Sequence, residues 1–193
     1  MSNRMTETDT HLTRPLRADA QRNRQKLVTA ARDTFAADGT SAPLEEIAGR
    51  AGVGIGTLYR HFPTRQALYE AVYLEEVEAM AEAADGLIDV EPGEALRRWL
   101  RQYLGFAATK RALTEALLEA APDSDVLASC RTLLMGAGNG LVERAQAAGA
   151  VRSDTDFADI GRIVSGIAVS PAAGQEQKER MLGIVLDGLR PVA

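Results

Sequence analysis

Thr57, Tyr59, Arg60 and His61 fall within five residues of one another, directly after Ile55 and Gly56, in the stretch LEEIAGRAGVGIGTLYRHFPTRQAL from Leu44 to Leu68. Hydroxyls, an imidazole and a guanidinium, with no carboxylate among them, suit the base edges and phosphates of a DNA major groove. Catalysis asks for other groupings: a nucleophile beside a base, a metal cluster or a phosphate loop. None is found, so neither an enzyme nor a cofactor is expected. The chain holds two histidines, His11 and His61, and one cysteine, Cys130, too few for a His-based metal centre or a disulfide framework. Glu45–Glu46 and Glu75–Glu76 are adjacent and diverge on a helix, so neither pair is an acid–base dyad. Asp154, Asp156 and Asp159 sit near a helix start, where acidic residues favour the dipole.

That polar face needs one helix to carry it and others to fix it. Leu44, Ile47, Ala48 and Ala51 line one side of a segment opened by Pro43 and ended by Gly52. A short segment from Ile55 to Phe62 follows at once. A three- or four-residue turn holding a glycine is helix–turn–helix spacing. Ala48 is small enough for close approach, and Ile47, Val53, Leu58 and Phe62 are the expected mini-core. Pro63–Thr64 then gives a stop and an N-cap for a longer helix.

In these residues the sequence resembles the TetR family of bacterial transcriptional regulators. The run IAGRAGVGIGTLYRHF, followed by Pro63, Thr64, Arg65 and Leu68, reproduces the family's turn and recognition helix. Upstream, AARDTFAADGTSA is similar to the family's first helix and its exit; the specific likeness covers about residues 20–70. The resemblance implies DNA contacts from Thr57, Tyr59 and His61, and a phosphate contact from Arg65, where the family usually has lysine. Ile55, Gly56 and Arg60 complete the face, and Lys26 is a further candidate for phosphate contact, with Arg22 and Arg24 beside it. Gly54 stands where serine is common, and Pro43 where a threonine cap is frequent, leaving Thr40 or Ser41 as caps.

The rest reads as helix throughout. The expected fold is all-α with about nine helices: a three-helix helix–turn–helix domain and a helical-bundle regulatory and dimerisation domain. Residues 1–17 read as a flexible arm, 18–63 as the DNA-binding domain and 64–193 as the effector-binding and dimerisation domain. Segments are expected near Leu96–Phe106, Leu113–Ala120, Asp125–Ala148, Phe157–Ile167 and from Gln175 onward, with stops at Pro122–Asp123, Gly149 and Ser170–Pro171.

In the second domain, Trp99, Tyr103, Phe106, Leu117 and Leu134 are candidates to line a ligand cavity; the first three also fit a plain core stripe, which is the better reading for any one of them. Tyr69, Tyr73, Leu133 and Met135 are further candidates. Such a cavity favours an apolar or aromatic small molecule, unless one of Arg97, Arg98 and Arg101 turns inward toward an acid. Asn139 and Ser129 either orient a ligand or face water, and Cys130 reads as a small buried hydrophobe. Ile160, Val164, Ile167, Leu182, Val185 and Leu189 make two helices apolar over more than one stripe. A buried central pair explains that, and so does a homodimer interface of two helices from each chain.

The net charge of −5 is divided unevenly: nine Lys/Arg face seven Asp/Glu in residues 1–62, and 13 face 20 in residues 63–193. A basic end on an acidic body fits a nucleic-acid face at one end only. No apolar run reaches the roughly 20 residues of a membrane span, and no secretory h-region is present, so a cytoplasmic protein is expected. The overall expectation is a repressor that binds a palindromic double-stranded DNA operator as a homodimer and is released by a small-molecule effector. An activator or helical adaptor without an effector is the alternative.

Overall fold

The computed structural model describes residues 13–120, 124–171 and 173–191. Among these there are eight helices and no strand: α1 (Thr13–Asp38), α2 (Leu44–Arg50), α3 (Ile55–His61), α4 (Arg65–Asp85), α5 (Pro92–Ala120), α6 (Asp125–Ala147), α7 (Phe157–Ala168) and α8 (Gln175–Gly188). The ninth expected helix is absent because the segments at Leu96–Phe106 and Leu113–Ala120 are one helix. Between them lies Ala107-Ala108-Thr109-Lys110-Arg111-Ala112, without glycine or proline and rich in good helix formers. The stop expected at Pro122–Asp123, His11 and residues 1–12 of the expected arm lie outside the described residues. Residues 13–17, expected in the arm, belong to α1.

The chain divides into two compact units at Val72–Tyr73. This is later than the expected boundary at residue 63, because Leu68, Tyr69 and Val72 at the start of α4 are buried with the first three helices. In the first unit, Leu27, Ala31, Ile47, Leu58, Phe62 and Leu68 are almost wholly buried. Burial of each large side chain contributes about 1.5–3 kcal/mol. Val53, expected in this mini-core, is only half-buried. The Phe35 ring meets the Tyr69 ring edge-on at 5.1 Å. The α1–α2 connection is tied to α4: the Tyr69 hydroxyl donates to Thr40 O at 2.5 Å. Thr64 caps α4 as expected, its Oγ1 accepting from Ala67 N at 3.0 Å.

The second unit is built on α5, which packs against α6, α7 and α8. Trp99 is completely buried; its ring stacks on Tyr103 at 5.6 Å and meets Phe157 edge-on at 5.2 Å. Its indole Nε1 donates to Met80 O at 2.8 Å, so the core's largest side chain also satisfies its polar atom. Arg144 reaches from α6 to the α4–α5 turn and donates to Ile88 O at 2.8 Å and Val90 O at 3.3 Å. Glu91 accepts from Gly93 N and Glu94 N and so caps α5. Those two bonds hold its carboxyl below the ordinary range. The Asn139 amide oxygen accepts from Phe157 N at 3.1 Å, which fixes the start of α7. Asn139 therefore has a structural role.

Candidate nucleic-acid interface and ligand cleft

The turn between α2 and α3 is set by a glycine. Gly52 has φ +69°, Gly52 N donates to Gly49 O at 3.0 Å, and Val53 N donates to Ala48 O at 3.0 Å. This double bond pattern closes the end of α2 with one left-handed residue, a conformation cheap only for glycine. Gly54 then starts α3 with no side-chain cap, and Pro43 likewise starts α2 uncapped, so neither Thr40 nor Ser41 takes the cap role. Leu58 and Phe62 anchor α3 inward, being 0% and 2% exposed.

The opposite side of α3 presents the expected polar face. Tyr59 is 47% exposed, Gly56 and Arg60 are exposed, and Ile55, Thr57 and His61 are half-exposed. No carboxylate interrupts α3. On α1, Lys26 is exposed and lines a groove of about 690 Å³ together with Arg22 and Arg50. Arg22 pairs with Asp19, and Arg50 pairs with Asp38 at 3.1 Å and Glu46 at 2.6 Å. The Arg24 guanidinium lies 5.4 Å from the centre of the Phe62 ring.

Arg65 is placed differently from its expected role as a phosphate contact. Its Nη1 donates to Thr40 O at 3.0 Å and to Ala42 O at 2.7 Å, and the side chain is half-buried. A guanidinium satisfies both carbonyls of this loop at once because its donors are fixed in one plane. In this structure Arg65 holds the loop that leads into α2.

In the second unit, the five cavity candidates separate. Tyr103, Phe106 and Leu134 line an open cleft of two adjoining chambers, of about 590 and 270 Å³, while Trp99 and Leu117 are sealed in the core. Trp99 is held between Tyr103, Phe157 and the Met80 carbonyl, and Leu117 is fully buried. Tyr73 lines both chambers, whereas Tyr69 belongs to the first unit. Burial pushes the Tyr73 phenol up, with Thr114 partly opposing it. The Tyr103 hydroxyl and Ser165 Oγ are hydrogen-bonded at 2.9 Å. Arg97, Arg98 and Arg101 do not turn inward; they pair with Glu94, Glu94 and Glu179. Arg111 lines the smaller chamber with Lys110 and Glu115, and the arginines of the larger one are Arg131 and Arg162, which sequence reasoning missed. Their only sequence signal is helical spacing from Leu134 and from Ser165.

The six dimer candidates are also redistributed. Ile160, Val164, Ile167, Leu182 and Leu189 are buried in the chain's own core, and Val185 is half-buried against it. On α7 and α8 the apolar residues that face outward are Ile163, 52% exposed, and Ile184, 72% exposed. Cys130 is buried as expected; burial, with the Glu78 carboxylate adding to it, pushes its thiol up to about 11. Ser129 is exposed. Among the described residues no helix is long and apolar enough to cross a membrane. No group of three or more His, Cys, Asp and Glu able to hold a metal is found there either.

Residues 27–72 match the family model of bacterial regulatory proteins of the tetR family, and residues 91–191 match that of the SbtR-like transcriptional regulator C-terminal domain. The chain is 40% identical to the TetR transcriptional regulator SCO0520 from Streptomyces coelicolor, with a TM-score of 0.74 over 88% of this chain and 99% of that one. It is 39% identical to a TetR regulatory protein from Mycobacterium vanbaalenii, with a TM-score of 0.73 over 92% and 100%. The HTH-type transcriptional regulator SAR0097 of Staphylococcus aureus is 36% identical over 69 residues, 35% of this chain and 36% of the relative. The match thus spans about a third of that curated relative's length. With both parts of the chain matched and the fold shared nearly end to end, the chain belongs to the TetR family of transcriptional regulators.

Proposed function

We propose that this protein is a repressor that binds a near-palindromic DNA operator as a homodimer and lets go when a small molecule occupies the cleft of the second unit. The observation that carries the reading is the outward face of α3. Tyr59, Thr57, His61 and Arg60 stand clear of the Leu58–Phe62 anchor, with no acidic residue among them. A helix inserted into a major groove uses hydroxyls and cations of this kind for base edges and flanking phosphates. The exposed Ile163 and Ile184 support self-association, since isolated large aliphatic residues on two neighbouring helices gain from mutual burial. A two-fold dimer reads two half-sites about 34–36 Å apart.

The test starts with DNA fragments selected from a random pool by the full chain, followed by gel retardation at several salt concentrations. Thr57→Ala with Tyr59→Ala is expected to lower affinity for the selected site by about 10- to 100-fold, as loss of one or two base contacts does. Helicity and assembly remain unchanged, because neither side chain belongs to the core. Full affinity in the double variant removes α3 as the reading element.

A further inference from the structure

We infer that the cleft of the second unit takes a ligand with an apolar body, aromatic or acyl, that ends in a single carboxylate held by Arg131 and Arg162. This deepens, and rests on, the reading of that cleft as an effector site. The larger chamber, about 590 Å³, falls in the range of small-molecule sites. Its lining contains two arginines and no Asp or Glu.

The other basic residues of α5 and the cleft edge differ from these two. Lys110 pairs with Glu76 at 3.2 Å and Arg111 with Glu115 at 2.7 Å, while Arg97, Arg98 and Arg101 are paired with Glu94 and Glu179. Arg131 and Arg162 form no ion pair among the described residues, and both are exposed at the mouth. A guanidinium without a carboxylate offers a planar pair of donors that fits one.

Nearer the floor, beside Tyr73, the Tyr103 hydroxyl and Ser165 Oγ are already engaged with each other. What these tyrosines, with Leu134, Met135 and Phe157, offer a ligand is ring face and aliphatic surface. A sugar or polyol would leave its hydroxyls unpaired there. A nucleotide would need more cations or a glycine loop than two guanidiniums supply. An anionic head on an apolar body satisfies both ends.

Trp99 is the single tryptophan of the chain, and its ring lies parallel to Tyr103 at 5.6 Å. Its fluorescence therefore reports occupancy of the cleft without any DNA present. The full chain is titrated with decanoate against decanol, and with 4-phenylbutyrate against 4-phenylbutanol, by Trp99 fluorescence and by calorimetry. At least one carboxylate is expected to bind about tenfold or more tightly than its alcohol, one per chain. Arg131→Ala with Arg162→Ala should erase that preference, and Arg97→Ala with Arg98→Ala should keep it. Equal binding of acid and alcohol, a preference retained in the Arg131/Arg162 variant, or no binding of either acid at millimolar concentration overturns the inference. DNA retardation by the same preparations separates the two claims. Retardation without a carboxylate preference removes only the ligand assignment, and the preference without retardation removes only the repressor.

Discussion

Gly138→Ala and Gly140→Ala are expected to change stability in opposite directions, although the two glycines lie two residues apart on α6. A Cβ added at Gly138 falls 2.3 Å from Cδ1 and Cγ of Phe157 and 2.6 Å from Cε1. Carbon atoms pack at about 3.5–4.0 Å, so the ring or the helix must retreat by roughly 1 Å or more. Phe157 has nowhere to go: it is 1% exposed, with Trp99 and Tyr103 at centroid distances of 5.2 and 5.4 Å. Overpacking of this kind costs about 1–3 kcal/mol, and the better helix propensity of alanine returns about 0.5–1 kcal/mol. The net loss is about 0–2.5 kcal/mol. A Cβ at Gly140 meets nothing within 4 Å, so only the propensity gain of about 0.5–1 kcal/mol remains. Urea unfolding followed by Trp99 fluorescence reads the second unit directly, and the comparison requires equal slopes for the two variants. A Gly138→Ala protein as stable as Gly140→Ala would refute the packing argument.

Arg65→Ala should lower the melting temperature of the first unit, seen by far-ultraviolet circular dichroism. Loss of its bonds to the Thr40 and Ala42 carbonyls costs about 1–2 kcal/mol. An unchanged melt together with a salt dependence of DNA binding shallower by about one phosphate would instead make Arg65 a backbone contact. Ile163→Glu with Ile184→Glu should yield folded monomers in sedimentation, since both residues are exposed in the single chain. An intact dimer would place the interface elsewhere. The Cys130 thiol, raised from 9.0 to about 11, should resist a disulfide reagent at pH 8 until the chain unfolds. The unfolded thiol ionises first, so this group makes stability decline as pH rises from about 9 to 11. Rapid labelling of the native chain would contradict its burial.

The first unit was legible because its signals are local. Gly52, Leu58, Phe62, Pro63 and Thr64 act through backbone conformation, capping and i, i+4 spacing, all of which a string of residues displays. The second unit depends on which stripe meets which, and that is a tertiary choice. Ile160, Val164 and Ile163 are equally apolar on paper; packing of α7 against α5 buries the first two and turns the third outward. Trp99 and Tyr103 share one stripe, yet only Tyr103 reaches the cleft, because Trp99 is held by the Met80 carbonyl and Phe157. Arg131 and Arg162 belong to two different helices, so no spacing within either announces that they meet at one cleft. Arg65 shows the converse limit. A motif position specified a cation, and the carbonyls of Thr40 and Ala42 decided what that cation holds.

Release of DNA by a ligand requires a difference in affinity between two states, because tight binding to both shifts nothing. Moving a population from 1:99 to 99:1 needs a ratio of about 10⁴, or about 5.5 kcal/mol. The proposed mouth supplies two exposed guanidiniums, and a carboxylate preference of about tenfold made in only one state gives about 10 per site. Two identical sites in a concerted dimer multiply to about 10², enough to move a population from about 1:9 to about 9:1. The helix able to carry that difference is α4, which holds Tyr73 in the cleft and is one continuous helix from Arg65 to Asp85. The proposed dimer is therefore a condition of the proposed switch as well as of operator geometry. A monomeric Ile163→Glu/Ile184→Glu variant should bind the carboxylate with unchanged affinity per chain while losing the steep, ligand-driven release. Steep release from a monomer would show that the coupling does not reside in the assembly.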